Sequence, residues 1–186
     1  MNSKLQIISG IFRGRKLNLP PEARPTQNRA RVALFNILDS GIVDTDDIIR
    51  VWDVFAGSGA FGLECLSRYL NASVLFTDVA ASSIRTVRDN LKKLNVGERA
   101  VVLQADAITS INKFGRDTYL IFVDSPYDKP ELGISFVEQI GKIVKNGTIL
   151  IWEQEKSNFV SANEQVWDVL KDKTYGRARF LFLRKK

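Results

Sequence analysis

Three acidic residues stand where carboxylates could bind a nucleotide. Asp53, Asp78 and Asp106 each follow a short apolar run. Ligands of open α/β sheets bind outside the carboxyl ends of the strands, so acids at three successive strand ends would share one edge. Asp78 could accept hydrogen bonds from both ribose hydroxyls of an adenosine. Asp106 could accept one from the adenine amino group, and we expect Ala107 to contact the cofactor beside it.

A glycine-rich turn follows the first of these runs. Glycines let backbone N–H groups approach a ligand closely, and the start of the next helix adds the positive end of a dipole. The segment Gly57–Gly62 has the G-x-G-x-x-G form of a dinucleotide loop. The motif alone could hold NAD, FAD or S-adenosylmethionine (SAM), or no ligand at all. The cofactor-binding residues expected in this segment are Asp53, Phe55, Ala56, Gly57, Ser58 and Gly59.

Alternating strands and helices position these residues. Apolar runs predict strands at Ile49–Phe55, Ser73–Thr77, Ala100–Leu103, Thr118–Val123 and Gly147–Trp152. Helices are predicted near 60–70, 80–95 and 131–145, with a short turn near 107–112. Two final strands, Gln165–Lys171 and Ala178–Arg184, flank Tyr175-Gly176. The pattern indicates a parallel sheet covered by helices on both faces, ending in a hairpin with an antiparallel last strand.

The first 38 residues predict two further elements. Gln6–Gly10 and Arg15–Leu19 flank a turn and indicate a β-hairpin. Thr26 is a candidate N-cap for a helix that runs through Leu38. The apolar face expected for that helix contains Val32, Leu34, Phe35 and Leu38.

Composition excludes several classes of protein. The chain has 186 residues, as expected of one domain, with a single cysteine and no histidine. Internal disulfides, Ser-His or Cys-His catalysis and histidine metal sites are therefore excluded, and we expect no metal. No apolar run is long enough to span a membrane, and the N-terminus lacks a secretory signal, so we expect a cytoplasmic protein without a membrane partner.

The charge is concentrated at the two ends of the chain. The net charge is +6, yet residues 1–31 hold seven Lys or Arg against one acid, Glu22. Residues 171–186 likewise hold seven against Asp172, so the middle of the chain is acidic. Basic ends on an acidic body are typical of a protein that presents an electropositive face to a polyanion, although many soluble proteins have basic patches without that function.

The loop after the fourth predicted strand distinguishes between the cofactors. Asp124-Ser125-Pro126-Tyr127 resembles the [DNS]-P-P-[YFW] signature of methyltransferases that act on amino groups of bases. Asp53-x-Phe55-Ala56-Gly57-Ser58-Gly59 is also the form that their SAM loop often takes. The two motifs in this order favour SAM as the methyl donor.

The N-terminal residues narrow the resemblance to one family. Gly10-x-x-Arg13-Gly14-Arg15-Lys16-Leu17, Arg24-Pro25-Thr26-x-x-Arg29-x-Arg31 and Leu34–Leu38 are similar to the RsmD family, bacterial enzymes that form N2-methylguanine in small-subunit ribosomal RNA. The resemblance is clear over residues 6–153 and looser in the C-terminal hairpin. Ser125 stands where the family commonly has proline, and Val32 where it commonly has glutamate.

This resemblance implies the fold and the partners. The fold is the class I SAM-dependent methyltransferase (Rossmann-like) fold, a mostly parallel seven-stranded sheet with an antiparallel last strand, plus the N-terminal hairpin and helix. Residues 1–186 would form a single methyltransferase domain, with 1–38 as an RNA-binding extension. The substrate would be small-subunit ribosomal RNA or an assembling 30S particle, and we expect a monomer.

The candidate RNA-binding residues are Arg13, Arg15, Lys16, Arg24, Arg29 and Arg31. For Arg29 and Arg31 an equal alternative is a structural role, pinning the N-terminal segment to acidic residues in the body of the protein.

The resemblance also implies a mechanism. An exocyclic amine is a poor nucleophile because its lone pair is delocalised into the ring. Acceptors for its N–H groups localise that lone pair and stabilise positive charge growing on nitrogen. Asp124 would be the principal acceptor and the Ser125 carbonyl the second. Pro126 completes the loop, and Tyr127 would stack on a base that has left its helix.

Other functions stay open at this point. A methyltransferase of another RNA or of DNA would share the Asp124 loop, although a DNA enzyme normally needs more chain for sequence recognition. A non-catalytic RNA-binding protein with a relic SAM pocket is supported only by Ser125. An NAD-dependent oxidoreductase would leave the Asp124–Tyr127 loop and the basic ends without a function, and a spectral test for nicotinamide binding would identify it.

Overall fold

The computed structural model describes residues 5–21, 28–44, 47 and 49–186. Its α-helices are α1 (Asn28–Ile37), α2 (Ala60–Arg68), α3 (Ala81–Leu94), α4 (Ala107–Phe114) and α5 (Pro130–Ile140), with a π-helical turn at Leu38–Ile42 and 3-10 turns at Gly97–Arg99 and Gly115–Asp117. Its strands are β1 (Ile49–Asp53), β2 (Ala72–Asp78), β3 (Ala100–Gln104), β4 (Leu120–Asp124), β5 (Ile149–Glu155), β6 (Trp167–Tyr175) and β7 (Ala178–Lys185). The alternation of strand and helix predicted from the sequence is confirmed.

The seven strands form one sheet in the order β3-β2-β1-β4-β5-β7-β6. The first five strands of that order are parallel, and β7 pairs antiparallel with both β5 and β6. The mostly parallel sheet with an antiparallel last strand is therefore confirmed. The strand order reverses between β1 and β4, and the crevice at such a reversal is where open α/β sheets bind ligands.

Two apolar clusters hold the layers together, one on each face of the sheet. On one face, the segment 5–21 and α1, α2 and α3 pack on the strands, and the Phe61 ring stacks on the Phe122 ring with centroids 4.2 Å apart. On the other face, α4 and α5 pack on the strands, and Trp52 meets Phe136 edge to face at 5.3 Å. Successive strand residues point to opposite faces, which explains why the central strands are apolar throughout.

The N-terminal segment differs in detail from its prediction. The expected hairpin is present in short form: one antiparallel bridge joins Gln6 to Lys16, and the N–H groups of Ile7, Leu17 and Gly14 donate to the carbonyls of Arg15, Leu5 and Ile7. Here the chain bonds to the body of the protein rather than along a second full strand. The candidate helix cap Thr26 lies outside the described residues, and α1 is described from Asn28.

Burial along α1 corrects one expectation. Leu34, Phe35 and Leu38 are buried as predicted, but Val32 is 37% exposed. Ala30 and Arg31 occupy the inner face instead, because the helix turns them toward the 5–21 segment. The short turn expected near 107–112 is also longer than predicted and forms the complete helix α4.

Candidate active site

The glycine-rich turn joins β1 to α2 at the carboxyl edge of the sheet. Gly57 and Gly59 have φ angles of 53° and 75°, in the left-handed region that glycine adopts without a steric penalty. A Cβ added to Gly62 would lie 2.4 Å from the ring of Phe76, so α2 packs on β2 at a distance that only glycine permits. The sequence motif therefore has the structural form of a ligand-binding loop, with a tight turn and a closely packed helix start.

Asp53 is buried beneath this loop. Its side chain is 2% exposed, and its Oδ2 accepts a hydrogen bond from the Gly62 N–H at 3.0 Å. Burial raises the pKa of Asp53 to about 8; the Gly62 bond opposes that shift, and the charges of Asp124 and Asp78 add to it. The carboxyl fastens the first turn of α2 to the end of β1 and so sets the position of the loop.

Asp78 holds the other side of the loop. Its Oδ2 accepts from the Gly57 N–H at 2.9 Å, and its Oδ1 accepts from the Ala80 N–H at 2.8 Å. A carboxylate has about four acceptor sites, so two remain after these bonds. Asp78 is partly exposed at the end of β2, which leaves those sites for a ligand's hydroxyl groups.

Asp106 and Ala107 lie after β3, as expected. Asp106 is exposed and caps α4, because its Oδ1 accepts from the Thr109 N–H at 2.9 Å. Ala107 is 5% exposed. A capping role was the alternative that the sequence offered for each of these strand-end acids, and for Asp106 the structure shows it as a helix N-cap.

Asp124 is the last residue of β4, next to the point where the strand order reverses. Its carboxyl is partly buried, and burial raises its pKa to about 7. The following residues turn at once, with the Lys129 N–H donating to the Pro126 carbonyl at 2.9 Å before α5 begins. A carboxyl that titrates near neutrality at this edge can serve as a hydrogen-bond acceptor for a substrate.

Ser125 packs where the resembled signature has proline. Its side chain is buried, and a Cβ added to Gly133 of α5 would lie 2.5 Å from the Ser125 Oγ. The absence of a side chain at Gly133 thus lets α5 approach the loop at this point. In the signature, a proline ring at this position restricts the backbone of the loop. In this protein, contact of Ser125 with α5 supports the loop instead.

Tyr127 reaches across the edge of the sheet to β5. Its hydroxyl donates to the Glu153 Oε1 at 2.9 Å. Glu153 is the register partner of Asp124 and is 5% exposed. The sequence analysis missed Glu153 because the predicted strand ended one residue earlier, at Trp152. An acid at the end of a fifth apolar run was the signal that could have identified it.

A small cleft lies beside the Tyr127 ring. One wall is the Asp124 loop with the start of α5, and the other is the end of β5 with the segment that follows it. The residues that line it include Pro126, Tyr127, Trp152, Glu153, Asn158 and Val160. Aromatic and apolar side chains line this cleft together with polar ones, and its volume of about 20 Å³ is far smaller than a base requires.

The basic residues of the N-terminal segment divide into two groups. Arg13, Arg15, Lys16 and Arg29 are exposed, so their charges face solvent. Arg31 is 4% exposed and donates to the Gln6 carbonyl, an arrangement that favours the pinning role over a phosphate contact. Arg24 lies outside the described residues.

Helix α2 holds the exposed basic residues in place. The buried Glu64 accepts from the N–H groups of Ile8 and Ser9, at 2.8 and 2.9 Å. The Phe12 N–H donates to the Ser67 Oγ at 3.0 Å. Helix α2 therefore begins at the glycine-rich loop, and its second half bonds to the basic segment. It sets the position of the basic segment relative to the loop.

Residues that could hold a metal do not cluster in the described part of the chain: no group of three or more His, Cys, Asp or Glu has that arrangement. The same part of the chain contains no helix that is both long and apolar enough to cross a membrane.

Comparison with known proteins relates this geometry to a family. Residues 5–184 match the family described as Conserved hypothetical protein 95. The chain is 34% identical over 183 residues to Ribosomal RNA small subunit methyltransferase D of Escherichia coli strain K12, covering 96% of this chain and 89% of that protein. Its Buchnera aphidicola counterpart (subspecies Acyrthosiphon pisum, strain APS) is 32% identical over 177 residues, covering 92% and 88%.

Solved structures agree with the fold. The yhhF protein of Escherichia coli superposes with a TM-score of 0.80 and 30% identity over 97% of both chains. An RNA methyltransferase of Salinibacter ruber in complex with S-adenosyl-L-homocysteine shares the fold, with a TM-score of 0.64 and 13% identity over 87% of this chain and 94% of that one. The class I methyltransferase fold expected from the sequence is thereby confirmed, and the chain belongs to the RsmD family, described as Conserved hypothetical protein 95.

Proposed function

We propose that this protein transfers a methyl group from SAM to the exocyclic N2 amine of a guanine in small-subunit ribosomal RNA. The observation that carries the proposal is the position of the Asp124 loop. It lies at the strand-order reversal, across the carboxyl edge from the glycine-rich turn. The family relatives named as small-subunit ribosomal RNA methyltransferases support the reaction and the class of substrate.

The carboxyl edge provides groups suited to each part of the cofactor. Asp78 has acceptor sites left for the ribose hydroxyls, and Asp106 with Ala107 borders the place for the adenine. The cofactor-binding residues proposed in the turn are Asp53, Phe55, Ala56, Gly57, Ser58 and Gly59. The buried Asp53 acts there by fixing the turn. When bound, SAM supplies an electrophilic methyl group on a positively charged sulfur.

Asp124 is the proposed acceptor for the amine of the target base. In its ionised form it accepts an N–H hydrogen bond, which localises the nitrogen lone pair and stabilises the positive charge that develops there. The backbone carbonyl of Ser125 accepts the second N–H. Together the two acceptors orient the amine for in-line attack, and orientation of this kind supplies a large part of many enzymatic accelerations.

Pro126 and Tyr127 complete the base site. The Tyr127 hydroxyl is held by Glu153, so the plane of the ring is set before the base arrives. A base displaced from its helix would stack on that ring, as bases do on aromatic side chains in other RNA-binding sites. Pro126 forms the adjoining wall of the cleft.

The basic N-terminal extension is the proposed RNA contact, within a chain that forms a single methyltransferase domain. Arg13, Arg15 and Lys16 are exposed on a segment that Glu64 anchors, and Arg29 is exposed on α1. These side chains can neutralise phosphates, which makes the affinity depend on salt. Within the proposal the protein acts as a monomer in the cytoplasm, on ribosomal RNA or on an assembling 30S particle.

The test is transfer of labelled methyl from SAM to small-subunit particles and to naked RNA, both from cells that lack the enzyme, followed by nucleoside analysis. We expect label in N2-methylguanosine. The D124A variant should lose transfer while calorimetry shows SAM binding unchanged, with the exposed-site variant D128A as a matched control. Label in another nucleoside would overturn the proposed target. Equal loss of transfer and of SAM affinity in D124A would overturn the proposed role of Asp124.

A further inference from the structure

Glu153 stands beside Asp124 on the neighbouring strand. The two are register partners in parallel strands, so their side chains lie on the same face of the sheet. That face also holds Phe122 and Ile151, the residues two positions earlier on the same strands. The site therefore contains a second carboxyl group next to the proposed acceptor, and the reaction described above gives it no role.

The surroundings of Glu153 are acidic or neutral. Asp124 on β4 and the Tyr127 hydroxyl face it, Glu155 follows on its own strand, and Asp53 on β1 interacts with Asp124. On the β7 side its register partner is the apolar Phe180. The positively charged side chain of Arg177 pairs with Glu155 and not with Glu153.

These surroundings oppose a charge on Glu153. Burial, and then the charge of Asp124, raise the pKa of Glu153 well above its usual range, and the bond from Tyr127 only partly offsets them. Its Oε1 accepts from Tyr127, while its buried Oε2 has no hydrogen-bond partner among the described residues. An ionised carboxylate with one buried oxygen unsatisfied is far more costly than a neutral acid in the same place. Asp124 is more exposed than Glu153, so a negative charge on Asp124 costs less free energy.

We propose that Glu153 is a positioning residue for methyl transfer: it stays a neutral carboxylic acid that holds the Tyr127 hydroxyl and leaves Asp124 as the single carboxylate facing the base. The inference rests on the proposed function for the roles of Asp124 and Tyr127. Glu153 touches neither the base nor the cofactor in this role. It acts by setting the plane of the Tyr127 ring and by not competing with Asp124 for the amine.

Three single variants and one double variant test the positioning role. Glu153→Gln keeps a neutral acceptor for the Tyr127 hydroxyl, so its kcat/KM should stay within about threefold of the parent enzyme, with the same acidic limb of the pH profile. Glu153→Ala and Tyr127→Phe each break the bond and should lose tenfold to a hundredfold, on the order expected for a misplaced reacting group. The double variant should be no worse than the worse single variant, because both remove one contact.

The opposite results would overturn the proposal. A Glu153→Gln enzyme as inactive as Glu153→Ala, or one whose acidic limb moves, would show that the charge of Glu153 is used. Additive losses in the double variant would show that Glu153 acts otherwise than through Tyr127. If Glu153→Ala does not fold, the Gln and Phe variants still decide between these results.

A spectroscopic measurement separates this inference from the proposed function. The infrared difference spectrum of the parent protein minus Glu153→Gln at pH about 7.5 should contain a protonated carboxyl band, whether or not any RNA is methylated. The band of Asp53, whose pKa is raised to about 8, is present in both proteins and cancels in the difference. A difference spectrum without that band would overturn the proposal even in an active enzyme. Absence of N2-methylguanosine with that band present would overturn the proposed function alone.

Discussion

The side chain of Asn90 joins the N-terminal segment to the glycine-rich turn through its contact with Ser58. Its Nδ2 donates to the Ser58 carbonyl at 3.0 Å and to the Asn18 carbonyl at 3.1 Å, while its Oδ1 accepts from the Asn18 N–H at 2.7 Å. Asn90 is fully buried on α3. One amide therefore connects the proposed cofactor loop to the proposed RNA-binding extension.

Replacement of this amide should weaken both functions together. Asn90→Ala leaves the backbone groups of Asn18 and the Ser58 carbonyl without their partner, at a cost of about 1–3 kcal/mol in the free energy of unfolding. We expect weaker SAM binding and weaker RNA binding in the same variant, measured by calorimetry and filter binding at a temperature where the protein is fully folded.

Thr86→Val is the matched control for this change. Thr86 is buried on the same helix, but its hydroxyl bonds to the Ser82 carbonyl within α3. It should alter stability without altering either affinity. If Asn90→Ala changed stability but left both affinities at the parent values, Asn90 would be a packing residue and not a link between the two sites.

Local patterns in the sequence were enough to predict most of the carboxyl edge. Asp53, Asp78 and Asp124 each follow an apolar run, and the structure places each at the end of a strand. Continuous apolar runs and glycine-dependent turns are local properties, so a single sequence reveals them. Alternation of strand and helix predicts parallel strands joined by right-handed crossovers, whereas the order of the strands is known only from the structure.

The residues that sequence analysis missed depend on contacts between distant positions. Asn90 meets Asn18 across 72 residues, and Glu64 meets Ile8 across 56. Glu153 became visible as a site residue only once β5 was placed beside β4 in register. Nothing in the sequence around Asn90 or Glu64 distinguishes a buried anchor from a solvated side chain, whereas Glu153 follows an apolar run that could have identified it.

The rate of methyl transfer should rise with pH around neutrality. The pKa of Asp124 is raised to about 7, so the carboxyl is mostly protonated below that pH and mostly ionised above it. The ionised form is the stronger acceptor for the N–H of the amine, and only its negative charge stabilises the positive charge that develops on nitrogen. We expect kcat at saturating SAM and RNA to increase through a single ionisation near pH 7, measured from pH about 5.5 to about 9.

Two asparagine variants identify the group responsible. Asp124→Asn should be slow at every pH and lack the acidic limb. Asp53, whose pKa is raised to about 8, keeps an acceptor for the Gly62 N–H as asparagine, so Asp53→Asn should retain the limb near pH 7. A limb that moved or vanished in Asp53→Asn would assign the ionisation to Asp53 instead.

Removal of two exposed arginines should reduce the salt dependence of RNA binding. Arg13 and Arg15 are exposed on the anchored N-terminal segment. The logarithm of the RNA association constant falls as the logarithm of the salt concentration rises. If both arginines contact phosphates, this negative slope should be flatter by about 1.4 in the double alanine variant, since each contact with single-stranded nucleic acid contributes about 0.7. Lys142→Ala, an exposed cation after α5, is the control. An unchanged slope in the double variant would move the RNA contact elsewhere.

The docking of the N-terminal segment on α2 should depend on Gly10. A Cβ at this position would lie 1.9 Å from the Ser67 carbonyl oxygen, and its φ is 79°. Gly14 has the same φ but nothing within 4 Å of its added Cβ. Gly14→Ala therefore measures the left-handed backbone cost alone, about 1–2 kcal/mol in the free energy of unfolding. Gly10→Ala adds a clash with backbone that cannot turn aside.

We expect Gly10→Ala to lose more stability than Gly14→Ala in denaturant unfolding and also to lose RNA affinity, because the clash lifts the segment that Glu64 and Ser67 hold. SAM affinity should change less, since the glycine-rich turn is fastened separately by Asp53 and Asp78. Equal effects of the two alanines on stability and RNA binding would mean that the close approach to α2 does not position the basic segment.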